Sequence, residues 1–532
     1  MKHLRALLAG LGIFLLLIVA APGCAPGPTL VPEATRKPID RRFVEYPAGY
    51  ELKPFARGLS NPSSIAFVTD EGEYKNSILI AESGVDNLRP RIYGYKPDGT
   101  FFSIYPRGGK LPTLGIFKSG RELYGPIGGM VYANGYIYVT HRDARDRGMV
   151  TRFDLQGNRM TVVGDLPAMG DHSVTDIAVH PTTGKLWFGL GSATNSGVVG
   201  LDNWQVGWVK SHLDFCDLPA VNLKLLGFKF FSRNPNAGLF GGDDNVGTAP
   251  YQPFGKSYQL RVRQAPNDRP TSAIYSVSPT GGDLRVEAHG IRLPRGLAFD
   301  EYSNLFATNN GMEMRGSRPV RDDPDALLKI ISGTWYGFPD YSADVLPISD
   351  ARFLPPPNIM IRTDYPELSA VIDHAGSGLP SPTLFRDTIL FGTLPSQSGA
   401  SKLVIIPESG SSRFPDYRGD AIIALRGDRA PFATYGQKLR GPIGRKLVAV
   451  NLVTRRAEDF VYNTEPLPAS RIGRNVEALE RPVDVKLGPD GKLYILDMGQ
   501  MKMRGGKEKV APGSGRIFVL EPASPASTQP PQ

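Results

Sequence analysis

Three basic side chains fall at comparable points of a recurring pattern, and their types suit proton transfer and anion binding. His172, in Gly170-Asp171-His172, stands just ahead of the apolar run Asp176-Ile177-Ala178-Val179-His180. An imidazole titrates near neutral pH, so at a loop end it can act as a general base; a surface-loop histidine without a role is the alternative. Arg292, in Gly290-Ile291-Arg292-Leu293-Pro294-Arg295-Gly296, holds the equivalent place before a second such run, and Arg426 closes a third in Leu425-Arg426-Gly427. A guanidinium fork pairs bidentately with carboxylate or phosphate. Arginines gathered from separate loops would make an anion site, with plain salt bridges between elements as the alternative. No set of acids recurs on matching loops, which counts against a metal-dependent hydrolase of the lactonase type.

For these side chains to meet, the loops that carry them must converge, and the surrounding pattern does this. An apolar strand, a polar turn with Gly, Asn or Asp, and a second apolar strand recur six times. The copies are Ser64 to Phe67 with Ile78 to Gly84, Gly129 to Tyr132 with Tyr136 to Thr140, Asp176 to His180 with Leu186 to Gly191, Gly296 to Asp300 with Leu305 to Gly311, a degenerate copy centred on Asp420 to Gly427, and Val483 to Leu487 with Leu493 to Gly499. Turn dipeptides such as Asn134-Gly135 and Asp490-Gly491 mark hairpin tips. The strands are apolar on both faces, so each hairpin needs a neighbour on either side, as blades have around a propeller axis. The expected fold is all-β, a six-bladed β-propeller over residues 47–520; a β-sandwich of the same hairpins is the alternative. The longest gap between copies points to an insertion at about 203–268, containing Phe228, Phe230, Phe231 and the Gly-rich Gly238 to Gly247, lying over one mouth.

Composition and the two ends agree with this. Gly 60 and Pro 47 make up about a fifth of 532 residues, against roughly 12% in average usage, which breaks a chain into short strands. Lys2 and Arg5 precede an apolar run from Ala6 to Ala21, and Gly23-Cys24 fits a lipobox, although Pro22 is atypical there. The expectation is a signal peptide over 1–23, acylation at Cys24, a Pro-rich tether over 24–46, and an exported lipoprotein of the bacterial cell envelope facing the periplasm or exterior. An ordinary signal or an uncleaved anchor are the alternatives, the apolar run being short of the ~20 residues that span a bilayer comfortably. Cys216 has no second cysteine to pair with once Cys24 is acylated, so no disulfide is expected. Residues 521–532 are read as a disordered tail. The net charge of +9 is scattered, with no basic block interleaved with aromatics, which argues against nucleic acid.

Beyond these residues, the sequence resembles the glucose/sorbosone dehydrogenase family of six-bladed quinoproteins. The likeness is carried by His172 with Asp176-Ile177-Ala178-Val179, by Gly189-Leu190-Gly191-Ser192-Ala193-Thr194-Asn195, by Gly290 to Phe299, by Tyr336-Gly337-Phe338-Pro339 and by Phe414-Pro415-Asp416-Tyr417-Arg418-Gly419-Asp420. It covers most of residues 50 to 500 outside the insertion. What it implies is pyrroloquinoline quinone (PQQ), Ca²⁺ and a sugar or related aldehyde in the propeller mouth, with electrons passing to an acceptor at the membrane. By the same resemblance His172 takes the hydroxyl proton and Arg292 stabilises the reduced quinone oxygen. Asp171, Asn310, Arg426 and Arg429 help to hold the cofactor, and backbone carbonyls around Gly311 and Met312 hold calcium, a hard cation suited to oxygen ligands. Two departures stand out: Leu293 where the family commonly has Asn, and Arg426-Gly427-Asp428-Arg429 where relatives often have His-Gly-Ser-Trp-Asn. A non-catalytic propeller that binds carbohydrate or a protein partner through the insertion and the altered fifth blade is the competing expectation.

Overall fold

A computed structural model describes residues 27–523 apart from 108–121, 238–242, 259, 360–367, 410–412, 438, 440, 442 and 474–475. The expected signal segment, Cys24 and part of the Gly-rich stretch lie outside the described residues.

The six strand pairs become the inner halves of six antiparallel sheets. Blade one is Pro62–Phe67, Ile78–Glu82, Arg91–Tyr95 and Phe101–Tyr105; blade two is Met130–Ala133, Tyr136–Arg142, Gly148–Phe153 and Arg159–Leu166. Blade three is Val174–Val179, Leu186–Leu190, Ala273–Val277 and Arg285–His289, and blade four is Pro294–Phe299, Leu305–Asn309, Asp325–Ile330 and Leu390–Leu394. Blade five is Ala400–Ile405, Asp420–Leu425, Lys446–Asn451 and Ala457–Asn463. Blade six joins Pro482–Leu487, Leu493–Asp497 and Gly515–Pro522 to the N-terminal strand Tyr50–Leu59, closing the ring by pairing the two ends of the chain. The first strands of consecutive blades touch in a closed cycle, including blade six against blade one. That cycle makes the fold a propeller rather than a sandwich.

Apolar faces on both sides of each strand are used between blades. One cluster fills each of the six interfaces: Leu79 with Val139, Val150 with Phe188, Ile274 with Leu297, Leu327 with Ile423, Ile422 with Ile495, and Ile80 with Ile517. Burying each such side chain contributes roughly 1.5–3 kcal/mol. In blade two Asn134 and Gly135 both have positive φ, the two-residue turn whose twist matches its strands.

The equivalent residues of the six innermost strands are Ser64, Gly129, Asp176, Gly296, Lys402 and Asp484, and they form a polar ring at the axis. Asp484 accepts from the Ser64 hydroxyl at 3.2 Å and the Ile65 amide at 3.0 Å, and Asp176 accepts from the Leu297 amide at 3.1 Å. Lys402 lies 3.4 Å from Asp176 and 3.9 Å from Asp484. Gly129 and Gly296 are small because a Cβ there would meet Asp176 or the Ser401 backbone within 2.6 Å.

Four features depart from the sequence expectation. The fifth pair runs from Ala400–Ile405 to Asp420–Leu425 across a long loop, so the short-turn signal that marks the other copies is missing. The blade-three insertion fills the whole gap between Leu186–Leu190 and Ala273–Val277, with the short helix Leu201–Val206, the strand pair Leu223–Leu225 and Val262–Gln264, and between them the hairpin Phe230–Arg233 and Asn245–Thr248. Blade four has its own excursion between Asp325–Ile330 and Leu390–Leu394, and blade six has the hairpin Met501–Arg504 and Lys507–Val510. Residues of the expected tether are packed: Thr29–Leu30 pairs with Tyr50–Leu59, Val44–Glu45 pairs with Ala457–Asn463, and Ile39, Val44 and Tyr46 are buried.

Candidate functional site

His172 precedes the innermost strand of blade three and is buried. Its ring packs where Gly191 leaves room, since a Cβ on Gly191 would lie 2.5 Å from the His172 Cβ. The Nδ1 atom is 2.9 Å from the Ser192 carbonyl and 3.1 Å from the Ser192 hydroxyl. A carbonyl only accepts, so Nδ1 carries the proton and Nε2 the lone pair. No described residue hydrogen-bonds Nε2. Burial, and then the guanidinium of Arg292, hold His172 well below the usual imidazole range, so it is uncharged at neutral pH.

Arg292 is clamped from three directions. Its Nε donates to the Asn195 carbonyl at 2.8 Å and Nη2 to Asn195 Oδ1 at 3.0 Å, while Nη1 donates to the carbonyls of Gly311 at 2.8 Å and Asn310 at 3.3 Å. Asn195 is itself held, accepting from the Glu313 amide and donating to the carbonyls of Glu313 and Arg315. Glu313 lies 2.5 Å from Arg315, 3.5 Å from Arg429 and 3.7 Å from Arg292. Burial works against its charge, yet these three arginines hold its carboxyl well below the usual range.

The structure brings His172, Arg292, Asn310, Gly311, Arg426 and Arg429 onto one small cavity of about 30 Å³, with Leu293 and Glu313. It does not bring Asp171 there. That carboxylate accepts from Trp208 Nε1 at 2.7 Å and Asn203 Nδ2 at 2.9 Å, and lies 2.6 Å from Arg315 in an ion pair whose angle is not a hydrogen bond's. It anchors the insertion over the mouth. Asn310 spends its amide on the Ala400 carbonyl at 2.7 Å. Met312 is buried, its amide donating to Asp323 at 2.6 Å.

His172, Leu293, Arg426 and Arg429 also line a second cavity, of about 250 Å³, at the propeller axis. Arg426 and Arg429 enter it from the blade-five loop, which Arg481 braces by donating to the carbonyls of Arg426 and Asp428, both at 3.0 Å. Glu508, from the blade-six hairpin, lies 3.3 Å from Arg426 and 3.6 Å from Arg429. The Nε atoms of both arginines are buried with no acceptor within hydrogen-bond reach.

As arranged, the Gly311 carbonyl does not fit a calcium ion. The Gly311 carbonyl accepts from Arg292, so a cation there would stand against a guanidinium. Among the described residues no group of three or more His, Cys, Asp or Glu is placed to hold a metal ion. The donor set of Arg292, Arg426 and Arg429 does fit a multiply carboxylated planar quinone, because two of these guanidiniums have buried N–H groups to give.

Outside the axis, the insertion and the loops 431–436 and 503–506 border an open cleft of about 1130 Å³. Phe432 and the half-exposed Tyr435 face it with Gln205, Asn234, Asn245 and Asn358. Arg315 and Arg429 both stack on Phe432, at 5.1 and 5.5 Å from the ring centre, and so form the wall between cleft and mouth.

Asn195, Glu313, Arg315 and Glu508 were not foreseen as site residues. Asn195 belongs to a stretch that carried the family resemblance, and Met312-Glu313-Met314-Arg315 shows charge alternating with apolar residues right after the fourth strand pair. Lys507-Glu508-Lys509 reads as solvated charge and carries no signal.

No protein-family model matches the chain. No curated protein matches it either. Solved structures similar to it include an oxidoreductase of Thermus thermophilus described as a glucose dehydrogenase, at 18% identity over 90% of this chain and 99% of that one, with a TM-score of 0.45. The holo form of the pyranose dehydrogenase PQQ domain from Coprinopsis cinerea is 14% identical over 91% and 98%, with a TM-score of 0.49. The PQQ-bound aldose sugar dehydrogenase of Streptomyces coelicolor is 16% identical over 90% and 99%, with a TM-score of 0.45.

Proposed function

We propose that the propeller mouth is the active site of an oxidoreductase acting on a sugar-like alcohol or aldehyde, with His172 as its general base. The observation that carries this is the state of His172, which lines both cavities with Nδ1 fixed by Ser192 and Nε2 meeting no hydrogen-bond partner among the described residues. A base in that state is ready at neutral pH to take the hydroxyl proton at Nε2. Arg292, held rigid by Asn195 and the Gly311 carbonyl, keeps positive charge beside the place where an oxygen gains negative charge. PQQ, when bound, supplies the hydride acceptor, and Arg426 and Arg429 are the residues that would hold it. The same proposal puts the protein outside the cytoplasm, held by a lipid on Cys24, on the strength of the signal-like N-terminus.

The test is dye-linked oxidation of glucose and related sugar aldehydes by the full-length protein supplied with PQQ in the presence of a chelator. Turnover is expected without added calcium, and His172→Ala is expected to lose about a hundredfold or more, the range of a general base. Absence of turnover by the wild type, or equal rates in the variant, overturns the proposal.

A second reading rests on the outer cleft. Its aromatic and amide lining suits the CH faces and hydroxyls of an extended carbohydrate, and this function needs no base. Oligosaccharide binding that survives His172→Ala, without oxidation, would favour it.

A further inference from the structure

The axial cavity is lined by the equivalent residue of every blade, one step before the polar ring: Ser63, Gly128, Thr175, Arg295, Ser401 and Val483. Five of these are small, hydroxylic or apolar. Arg295 alone is long and charged, and among the described residues it makes no hydrogen bond and no ion pair.

The nearby carboxylates are engaged elsewhere. Asp171 is held by Arg315, Trp208 and Asn203. Asp176 and Asp484 serve Lys402 and the backbone of neighbouring blades. Glu508 is shared between Arg426 and Arg429. Three guanidiniums, those of Arg295, Arg426 and Arg429, thus face one cavity; Glu508 serves Arg426 and Arg429, and Glu313 also serves Arg429, while no described carboxylate lies within ion-pair distance of Arg295. An unpaired charge in a cavity wall is unfavourable unless something neutralises it, and no described residue does so. The neighbourhood shows the strain: burial, and then Arg426 and Arg429, push Arg295 down to about 9.

We infer that the axial cavity binds a small carboxylate-bearing ligand, with Arg295 as the fork that receives its anionic group. Two sources share this chemistry: a carboxylate of the quinone, or the carboxylate of a sugar acid bound as substrate. The inference concerns the charge of the ligand and holds whether or not His172 acts as a base.

Calorimetric titration of the full-length protein with PQQ, with glucuronate and with glucose, for wild type and Arg295→Gln, separates the cases. At least one carboxylated probe is expected to bind the wild type and to weaken tenfold or more in the variant. PQQ alone showing this assigns the cofactor, and glucuronate showing it assigns an acidic sugar. Glucose binding is expected to be unchanged by the substitution. If neither carboxylated probe binds, or if both bind the variant within twofold of wild type, the inference is overturned. Folding is read independently. Removing an unneutralised cation should leave the melting temperature of the unliganded variant at or above that of wild type in low salt. A fall of several degrees would mean that the protein itself partners Arg295, and would equally overturn the inference.

Discussion

Burial and the Arg292 guanidinium keep His172 uncharged, and this fixes how the protein should respond to acid. The folded-state value lies below the ordinary 6.5, so the unfolded chain binds the proton more readily. Stability contributed by neutral His172 is complete above about pH 6.5 and is lost as pH falls below it. Asp202 and Asp217, raised to about 6 mainly by burial, act in the opposite sense over the same range. The share of His172 is therefore read as a difference. Urea midpoints of wild type and His172→Gln should converge as pH is lowered from 7 to 4.5 if the variant is less stable at neutral pH, or cross in favour of the variant. An acid limb of turnover below pH 6.5 should accompany this, since the base is lost only when Nε2 is protonated.

At the level of elements, the blade-six hairpin matters most, because its Glu508 is the one described carboxylate within 4 Å of both Arg426 and Arg429. Burial opposes its charge, but Arg426 and Arg429 hold Glu508 down to about 2, so it is ionised at any working pH. Glu508→Gln should tighten binding of a carboxylated probe several-fold by releasing Arg426 and leaving Arg429 to Glu313 alone, as titration of the variant can check. This hairpin also marks the limit of what the sequence discloses. The six inner strand pairs are legible because continuous apolar runs and Asn-Gly or Asp-Gly tips are local signals; blade five blurs only where a long loop replaces the tip. His172 and Arg292 are legible as loop residues at equivalent positions ahead of their strand pairs, and Arg426 as the residue that closes the fifth. Glu508, Asn195 and Glu313 act through contacts between blades distant in the chain, and their local sequence looks like ordinary turn or surface chemistry. Asp171 lines the axial cavity beside His172, while its carboxylate is engaged by Trp208 and Arg315, contacts that its local sequence does not show.

For the whole molecule, ring closure is double. The N-terminal strand Tyr50–Leu59 completes blade six from outside, and Lys402 ties Asp176 of blade three to Asp484 of blade six at the axis. Lys402→Ala leaves the buried Asp176 with no ion-pair partner among the described residues, while Asp484 keeps Lys486 at 3.3 Å, and should cost about 3 kcal/mol, measurable as a loss in the denaturant midpoint with little change in its slope. The axis is thus both the mechanical centre and the floor of the candidate site, which explains why His172 and Arg295 are placed above a rigid support. The most direct test of the central claim is a single-turnover experiment in a chelator-containing buffer. Full-length protein is mixed with PQQ until its absorption shows saturation, and then with excess sugar. Wild type should show the bound quinone becoming reduced, while His172→Gln binds it equally well but reduces it at least a hundredfold more slowly. Failure of the wild type to bind the quinone, or reduction by the variant at the wild-type rate, would contradict the account.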